Sequence, residues 1–141
     1  MDRWMWVTWP AVGVIVGGLV SGWRFSIWWV LIFLCCCLVA WWVSPWSRGR
    51  SKTMSDVMAL PDGDRRVIVY WRPGCPYCER LRAALGRRGD DAQWVNIWQD
   101  SEAADFVASV NGGNETVPTV VIDGEPHTNP DPRVVLEALA P

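Results

Sequence analysis

The chain has 141 residues, half of them hydrophobic and one fifth charged, which leaves room for one modest folded domain rather than two. The formal net charge of −2 hides a division, because residues 1–52 carry five basic residues against one acidic residue and the remainder carries eight arginines against fourteen acidic residues. A mildly acidic domain lacks the basic patch that binds nucleic acid, so nucleic acid is not expected as a partner.

Two long apolar segments begin the chain. Residues 4–23 and 25–43 contain no charged residue, and only Arg24 separates them. Each segment has about the 20 residues that a helix needs to cross a bilayer core, and most of the tryptophans lie near the segment ends, as interfacial anchors do. We therefore predict a two-helix transmembrane hairpin over residues 1–46, with a single span and an interfacial first segment as the alternative.

The basic residues around these segments predict the orientation of the hairpin. Both ends of a hairpin lie on one side of the membrane, where four basic residues outnumber the single Arg24 on the other side. The four are Arg3, Arg48, Arg50 and Lys52. Because positive charges stay on the cytoplasmic face, we expect a multi-pass protein of the cell membrane, in contact with lipid, whose soluble domain faces the cytoplasm.

The remaining chain is predicted to contain a linker and one α/β domain. Residues 47–65 are a linker by their proline, serine and glycine content, and residues 66–141 alternate between strand and helix patterns. Strands are expected at 67–71, 93–98, 119–122 and around 126–127, with helices at 77–88, 101–110 and from about 129 to 139. The order β-α-β-α-β-β-α predicts a small mixed sheet of the thioredoxin-like type.

The cysteines fall into two groups, Cys35–Cys37 within the second apolar segment and the pair Cys75 and Cys78. The first group is expected to act as small apolar residues. The C-x-x-C pair opens a helix directly after a strand, which is the redox position of a thioredoxin-like fold. Structural zinc needs four ligands, and outside the apolar segments only His127 accompanies the pair, so no metal site is expected.

The position of Cys75 favours a reactive thiolate. A free cysteine with a pKa of about 8.5 supplies little thiolate at neutral pH, whereas the unpaired N–H groups and dipole of a helix N-terminus stabilise the anion. Pro76 occupies the first turn, where a missing N–H costs nothing. Cys75 is therefore the expected attacking sulfur and Cys78 the resolving one. Arg72 either adds positive charge nearby or is a solvated loop residue.

A second motif, Thr116-Val117-Pro118-Thr119, precedes the third predicted strand. A proline here removes a donor from the strand pairing and, if its peptide bond is cis, turns backbone amides outward. In this type of fold the loop lies opposite the cysteines. We therefore expect the Val117 backbone to pair with an extended substrate backbone, as an added strand does.

Residues 67–141 resemble the glutaredoxin family through Cys75-Pro76-Tyr77-Cys78, Thr116-Val117-Pro118 and the element order. The run from Phe106 to Val120, followed by Thr128-Asn129-Pro130, is more similar to the mycoredoxins of actinobacteria, which are glutaredoxin-like proteins that use mycothiol in place of glutathione. The resemblance does not extend to residues 1–52.

The resemblance implies a thiol–disulfide oxidoreductase that reduces mixed disulfides between proteins and a low-molecular-weight thiol. Mycothiol, or a glutathione-like thiol, would be the co-substrate, with no bound cofactor. Cys75 would take mycothiol onto itself, and a second mycothiol or Cys78 would then release it. The implied thiol-binding residues are Arg72, Pro76, Tyr77, Thr116, Val117, Pro118, Thr128 and Asn129. The usual Gly-Gly-x-Asp run of glutathione-binding members is replaced by His127–Asp131, which argues against glutathione.

Two other functions fit the same residues. The first is a dithiol, thioredoxin-like reductant that receives electrons from a reductase. The second, from a different class, is a module that binds an iron–sulfur cluster or acts as an adaptor for a membrane partner. Cluster-binding members of the family tend to lack the stiff Pro76, so this second function is disfavoured.

Overall fold

The computed structural model describes residues 7–21, 27–44 and 51–140 and divides the chain into two units, Met1–Ser47 and Arg48–Pro141. The first unit contains helices α1 (Thr8–Ser21) and α2 (Ile27–Val43). Two glycines four residues apart let these helices approach closely. A Cβ atom on Gly17 would lie 2.8 Å from Cδ1 of Trp29, and one on Gly13 would lie 2.9 Å from Cβ of Cys36.

Both helices are shorter than predicted at 4–23 and 25–43, and residues 4–6 and 22–26 lie outside the described residues. Among the helices described, none has both the length and the apolar character needed to cross a bilayer, so the predicted transmembrane hairpin is not found in them. The outward faces of α1 and α2 are nevertheless apolar. Leu19 is 71% exposed and Leu38 is 69% exposed.

The second unit contains a four-stranded mixed sheet with helices on both faces. Its strands are β1 (Val67–Trp71), β2 (Gln93–Asn96), β3 (Thr119–Ile122) and β4 (Glu125–Thr128), and its helices are α3 (Met54–Met58), α4 (Pro76–Leu85), α5 (Ser101–Val110) and α6 (Pro132–Ala138). The strand order is β2-β1-β3-β4, with β1 parallel to β2 and antiparallel to β3, and β3 antiparallel to β4. This mixed α/β sheet agrees with the predicted thioredoxin-like type.

Three predicted elements were longer than the observed ones. The last helix, expected from about 129 to 139, spans Pro132–Ala138, because Asn129 adopts a φ of +47° and the Asp131 side chain caps the helix. The helix expected at 77–88 ends at Leu85, because Gly86 adopts a φ of +54°, which L side chains rarely adopt, and a 3₁₀ turn follows over Gly86–Asp91. The strand expected at 93–98 ends at Asn96, whose side-chain oxygen accepts a hydrogen bond from the Trp98 N–H at 3.0 Å and so stabilises a turn.

Strand β1 lies at the centre of the domain, and all five of its residues are buried. The side chains of residues 67–70 alternate between two core clusters, as a strand with both faces covered requires. Ile68 and Tyr70 pack on the α5 side, whereas Val67 and Val69 pack with residues of α4 and α6. The carboxyl end of this rigid strand leads directly to the cysteine pair.

Part of the predicted linker, 47–65, belongs to the folded domain. The Ser51 hydroxyl donates to the Trp94 carbonyl and accepts from the Asn96 N–H, each at 2.9 Å, and so occupies the free edge of β2. Val57 in α3 is 1% exposed and contributes to the core on the α5 side. Proline, serine and glycine in the segment indicated a linker, whereas the packing of Val57 depends on core residues far along the chain.

Replacement of Val57 by alanine should lower the free energy of unfolding of the domain by about 2 kcal/mol, because it removes two buried methyl groups. Met58→Ala, at a neighbouring exposed position, serves as the matched control and should have a small effect. Urea unfolding of the full-length protein, followed by circular dichroism, measures both changes. Equal effects of the two substitutions would show that α3 does not contribute to the core.

Candidate active site

The site begins where β1 ends and α4 starts. Pro73 is fully buried and Gly74 adopts a φ of +73°, and together they turn the chain sharply after the strand. Cys75 is the N-cap of α4, with Pro76 in the first turn. The Cys75 sulfur accepts a hydrogen bond from the Cys78 backbone N–H at 3.3 Å, in the place that a serine or aspartate oxygen takes in an ordinary helix cap.

This environment stabilises Cys75 as a thiolate. Its pKa is lowered to about 6, chiefly by a hydrogen bond from the Cys78 thiol, with contributions from the N–H groups of Cys78 and Tyr77 and the charge of Arg72, while burial acts in the opposite direction. The pKa of Cys78 is raised, chiefly by its hydrogen bond to Cys75 and also by burial. The two cysteines are unbridged. Cys75 is therefore suited to attack, and Cys78 remains a proton-bearing donor.

The loop before β3 lies opposite the cysteines. The Val117–Pro118 peptide bond is cis, and both residues are buried. The Val117 carbonyl lies 3.4 Å from the Cys75 sulfur and accepts a hydrogen bond from it when it is a thiol. Within the part of the chain that the structure describes, the Val117 N–H and carbonyl have no backbone partner. Loss of the Cys75 proton therefore frees the Val117 carbonyl next to the nucleophile.

Three other predicted site residues belong to a hydrogen-bonded network behind this loop. The Thr116 carbonyl accepts a hydrogen bond from the Thr119 hydroxyl at 2.8 Å. The Asn129 N–H donates to the Pro118 carbonyl at 2.8 Å, so the residue after β4 is tied to the loop. The Thr128 hydroxyl donates to the Asn111 side chain at 2.5 Å. Asn111 was not predicted from the sequence, because an asparagine after a helix is an ordinary helix end.

Arg72, which precedes the cysteine pair, lies against the ring of the buried Trp98. Arg72 is half-buried, with its guanidinium carbon 5.8 Å from the centre of the Trp98 ring, so it is not a freely solvated loop residue. Pro76 and Tyr77 are exposed in the first turn of α4. Trp98 was not predicted as a site residue, because the run 93–98 alternates as a strand does and Trp98 was assigned to that strand.

The chain is similar to a known protein family and to several of its members. Residues 67–127 match the glutaredoxin family. A Mycobacterium tuberculosis protein with a provisional glutaredoxin name is 48% identical over 65 residues, which cover 45% of this chain and 77% of that protein. Mycoredoxin 1 of Corynebacterium glutamicum is 42% identical over 78 residues, which cover 52% of this chain and 96% of that protein. A glutaredoxin of Haemophilus influenzae is 35% identical over 66 residues, which cover 43% of this chain and 76% of that protein.

The lowered pKa of Cys75 predicts the pH dependence of its reactivity. Its rate of alkylation by iodoacetamide should rise with pH through a midpoint near 6, because only the thiolate reacts and it is the predominant form above that pKa. In Cys78→Ala the midpoint should move to higher pH, since the principal stabilising hydrogen bond is lost. The Cys75→Ser variant retains the other four cysteines and gives the background rate. A wild-type midpoint near 8.5, the value of a free cysteine, would contradict this electrostatic account.

Proposed function

We propose a specific function from the premise that this chain belongs to the glutaredoxin family and is therefore a thiol–disulfide oxidoreductase. It reduces mixed disulfides between proteins and a low-molecular-weight thiol, and that thiol is mycothiol. The similarity to Mycoredoxin 1 over nearly the whole of that relative supports the choice of thiol. The observation that carries the reaction itself is the Cys75 sulfur, which caps α4, has a lowered pKa and faces the Val117 carbonyl at 3.4 Å.

In the first step the Cys75 thiolate attacks the mycothiol sulfur of a mixed disulfide. A bond forms between Cys75 and mycothiol, the bond between mycothiol and the protein breaks, and the protein sulfur leaves as a thiolate that takes a proton from water. The free N–H and carbonyl of Val117 hold the backbone of the bound thiol in line with the attacking sulfur. Arg72, Pro76 and Tyr77 border the same sulfur and contact the remainder of the thiol.

In the second step another mycothiol attacks the sulfur of the bound mycothiol, which releases mycothiol disulfide and restores the Cys75 thiolate. Cys78 offers a second route, in which its thiolate attacks the Cys75 sulfur of the mixed disulfide. The Cys75–Cys78 bond forms, the bond between Cys75 and mycothiol breaks, and mycothiol leaves as a thiolate that takes a proton from water. The hydrogen bond to the Cys75 thiolate is the main cause of the raised pKa of Cys78. Because that negative charge disappears once Cys75 forms a mixed disulfide, Cys78 loses its proton more readily at that stage. Its 1% exposed fraction favours the first route.

Substitution of each cysteine separates these roles. Cys75→Ser should abolish reduction of a mycothiolated peptide, whereas Cys78→Ser should keep activity within about tenfold of wild type, because its hydroxyl still donates a hydrogen bond to Cys75. Release of the free peptide thiol, with mycothiol as the electron donor, measures both. Turnover retained in Cys75→Ser would refute the assignment of the nucleophile. Parallel reactions with glutathione, and with thioredoxin reductase, show which donor the protein accepts.

We further propose that the first unit anchors the enzyme to the cell membrane, with the catalytic domain in the cytoplasm. Support comes from the apolar outward faces of α1 and α2, where Leu19, Leu38 and Trp41 are all more than 60% exposed. Burial of these side chains in lipid would remove them from water. The basic residues that flank the two segments in the sequence support the orientation.

Fractionation and thiol labelling test the anchor and its orientation. We expect the full-length protein to stay with membranes after alkaline carbonate washing, since that treatment releases proteins held by charge alone. A membrane-impermeant maleimide should label Cys75 only after the cells are lysed, with Cys75→Ser as the control for labelling of other cysteines. Release by carbonate would overturn the anchor, and labelling of Cys75 in intact cells would overturn the orientation.

A further inference from the structure

The two carbonyl groups on either side of Val117 are both held by hydrogen bonds. The Thr119 hydroxyl donates to the Thr116 carbonyl, and the Asn129 N–H donates to the Pro118 carbonyl, each at 2.8 Å. Only the carbonyl between them, that of Val117, is left to face Cys75. The Thr119 hydroxyl and the Asn129 N–H therefore set the orientation of the loop.

Both of these hydrogen bonds lead to Asn111, the residue that ends α5. Its side-chain nitrogen donates to the Val107 carbonyl at 2.7 Å and to the Thr119 hydroxyl at 3.1 Å. Its side-chain oxygen accepts from the Thr128 hydroxyl at 2.5 Å, and Thr128 is joined directly to Asn129. Asn111 thus connects α5 to the start of β3 and the end of β4.

The chemistry of an amide fixes the direction of each hydrogen bond in this network. Since the Asn111 nitrogen donates to Thr119, the Thr119 hydroxyl must turn its own proton toward the Thr116 carbonyl. Thr119 is fully buried, so solvent cannot replace a missing partner. An aspartate at position 111 would lose both donated hydrogen bonds, and an alanine would lose all three.

We propose that Asn111 is a positioning residue for thiol–disulfide exchange, which acts by fixing the Thr116–Pro118 loop so that the Val117 carbonyl and N–H face the Cys75 sulfur. This role rests on the proposed function, because the loop matters only if a bound thiol pairs with Val117. The hydrogen bonds of the Asn111 side chain go to Val107, Thr119 and Thr128 and not to the sulfur. Its influence passes through Thr119 on one side and through Thr128 and Asn129 on the other.

If Asn111 has this role, its substitution should slow thiol–disulfide exchange and leave alkylation of Cys75 unchanged. In Asn111→Ala and in Thr119→Val, kcat/KM for a mycothiolated peptide should fall about tenfold, because a displaced loop misaligns the bound disulfide. Alkylation of Cys75 by iodoacetamide should keep its wild-type rate and pH midpoint, since this small reagent needs the thiolate but not the loop. Thr119→Ser keeps the hydroxyl and should retain more exchange activity than Thr119→Val.

Asn114→Ala is the matched control, because the Asn114 side chain donates to the backbone carbonyl of Asn111 and not to the side chains that form the network. Thr128→Val changes an exposed residue and removes the hydrogen bond from Thr128 to Asn111. It tests the proposal if Asn111→Ala or Thr119→Val prevents folding. Equal losses of exchange and alkylation, or normal exchange in both Asn111→Ala and Thr119→Val, would overturn the role of Asn111. Absence of exchange in the wild-type protein would instead refute the proposed function, and this role with it.

Discussion

The structure depends on a single electrostatic requirement, the stabilisation of negative charge on a buried sulfur. Burial by itself disfavours a thiolate, and Cys75 is only 6% exposed. The start of α4 compensates, because the N–H of Cys78 and the thiol of the same residue both point at the Cys75 sulfur. The hydrogen bond that the Cys78 thiol donates to Cys75, together with burial, raises the pKa of Cys78 and keeps this thiol protonated. A strand, a proline–glycine turn and a helix thus place two chemically identical thiols so that one has a lowered pKa and the other a raised pKa.

The sheet makes this sulfur available to a substrate. Because β1 and β3 are antiparallel neighbours, the last residue of β1 and the first residue of β3 lie at the same end of the sheet. This brings the Cys75 sulfur to 3.4 Å from the Val117 carbonyl. β4 then pairs with β3 and ends beside the loop, where Asn129 binds the Pro118 carbonyl. The hydrogen-bonded network around Asn111 joins α5, β3 and β4 behind the loop that faces the sulfur.

The edge of the sheet at β2 shows that residues before the first strand belong to the folded domain. A free strand edge exposes unpaired backbone groups, and here the Ser51 side chain pairs with two of them while Lys52 forms a short parallel bridge to Val95. Val57 completes the core a few residues later. The folded domain therefore begins well before its first strand, at residues whose composition suggested a linker.

The sequence by itself determined the order of the elements, the place of the C-x-x-C pair at a strand-to-helix junction and the position of the Val117-Pro118 loop opposite that pair. These features depend on local signals: apolar periodicity, proline and glycine at turns, and the electrostatics of a helix N-terminus. Only the tertiary structure decided which groups hold those residues in place. Asn111 binds Thr119, 8 residues away, and Ser51 binds Gln99, 48 residues away. The Trp98 ring lies against Arg72. Local sequence patterns carry no record of such contacts. For the same reason the end of β2 and the true start of the domain became clear only when strand pairing and burial were known.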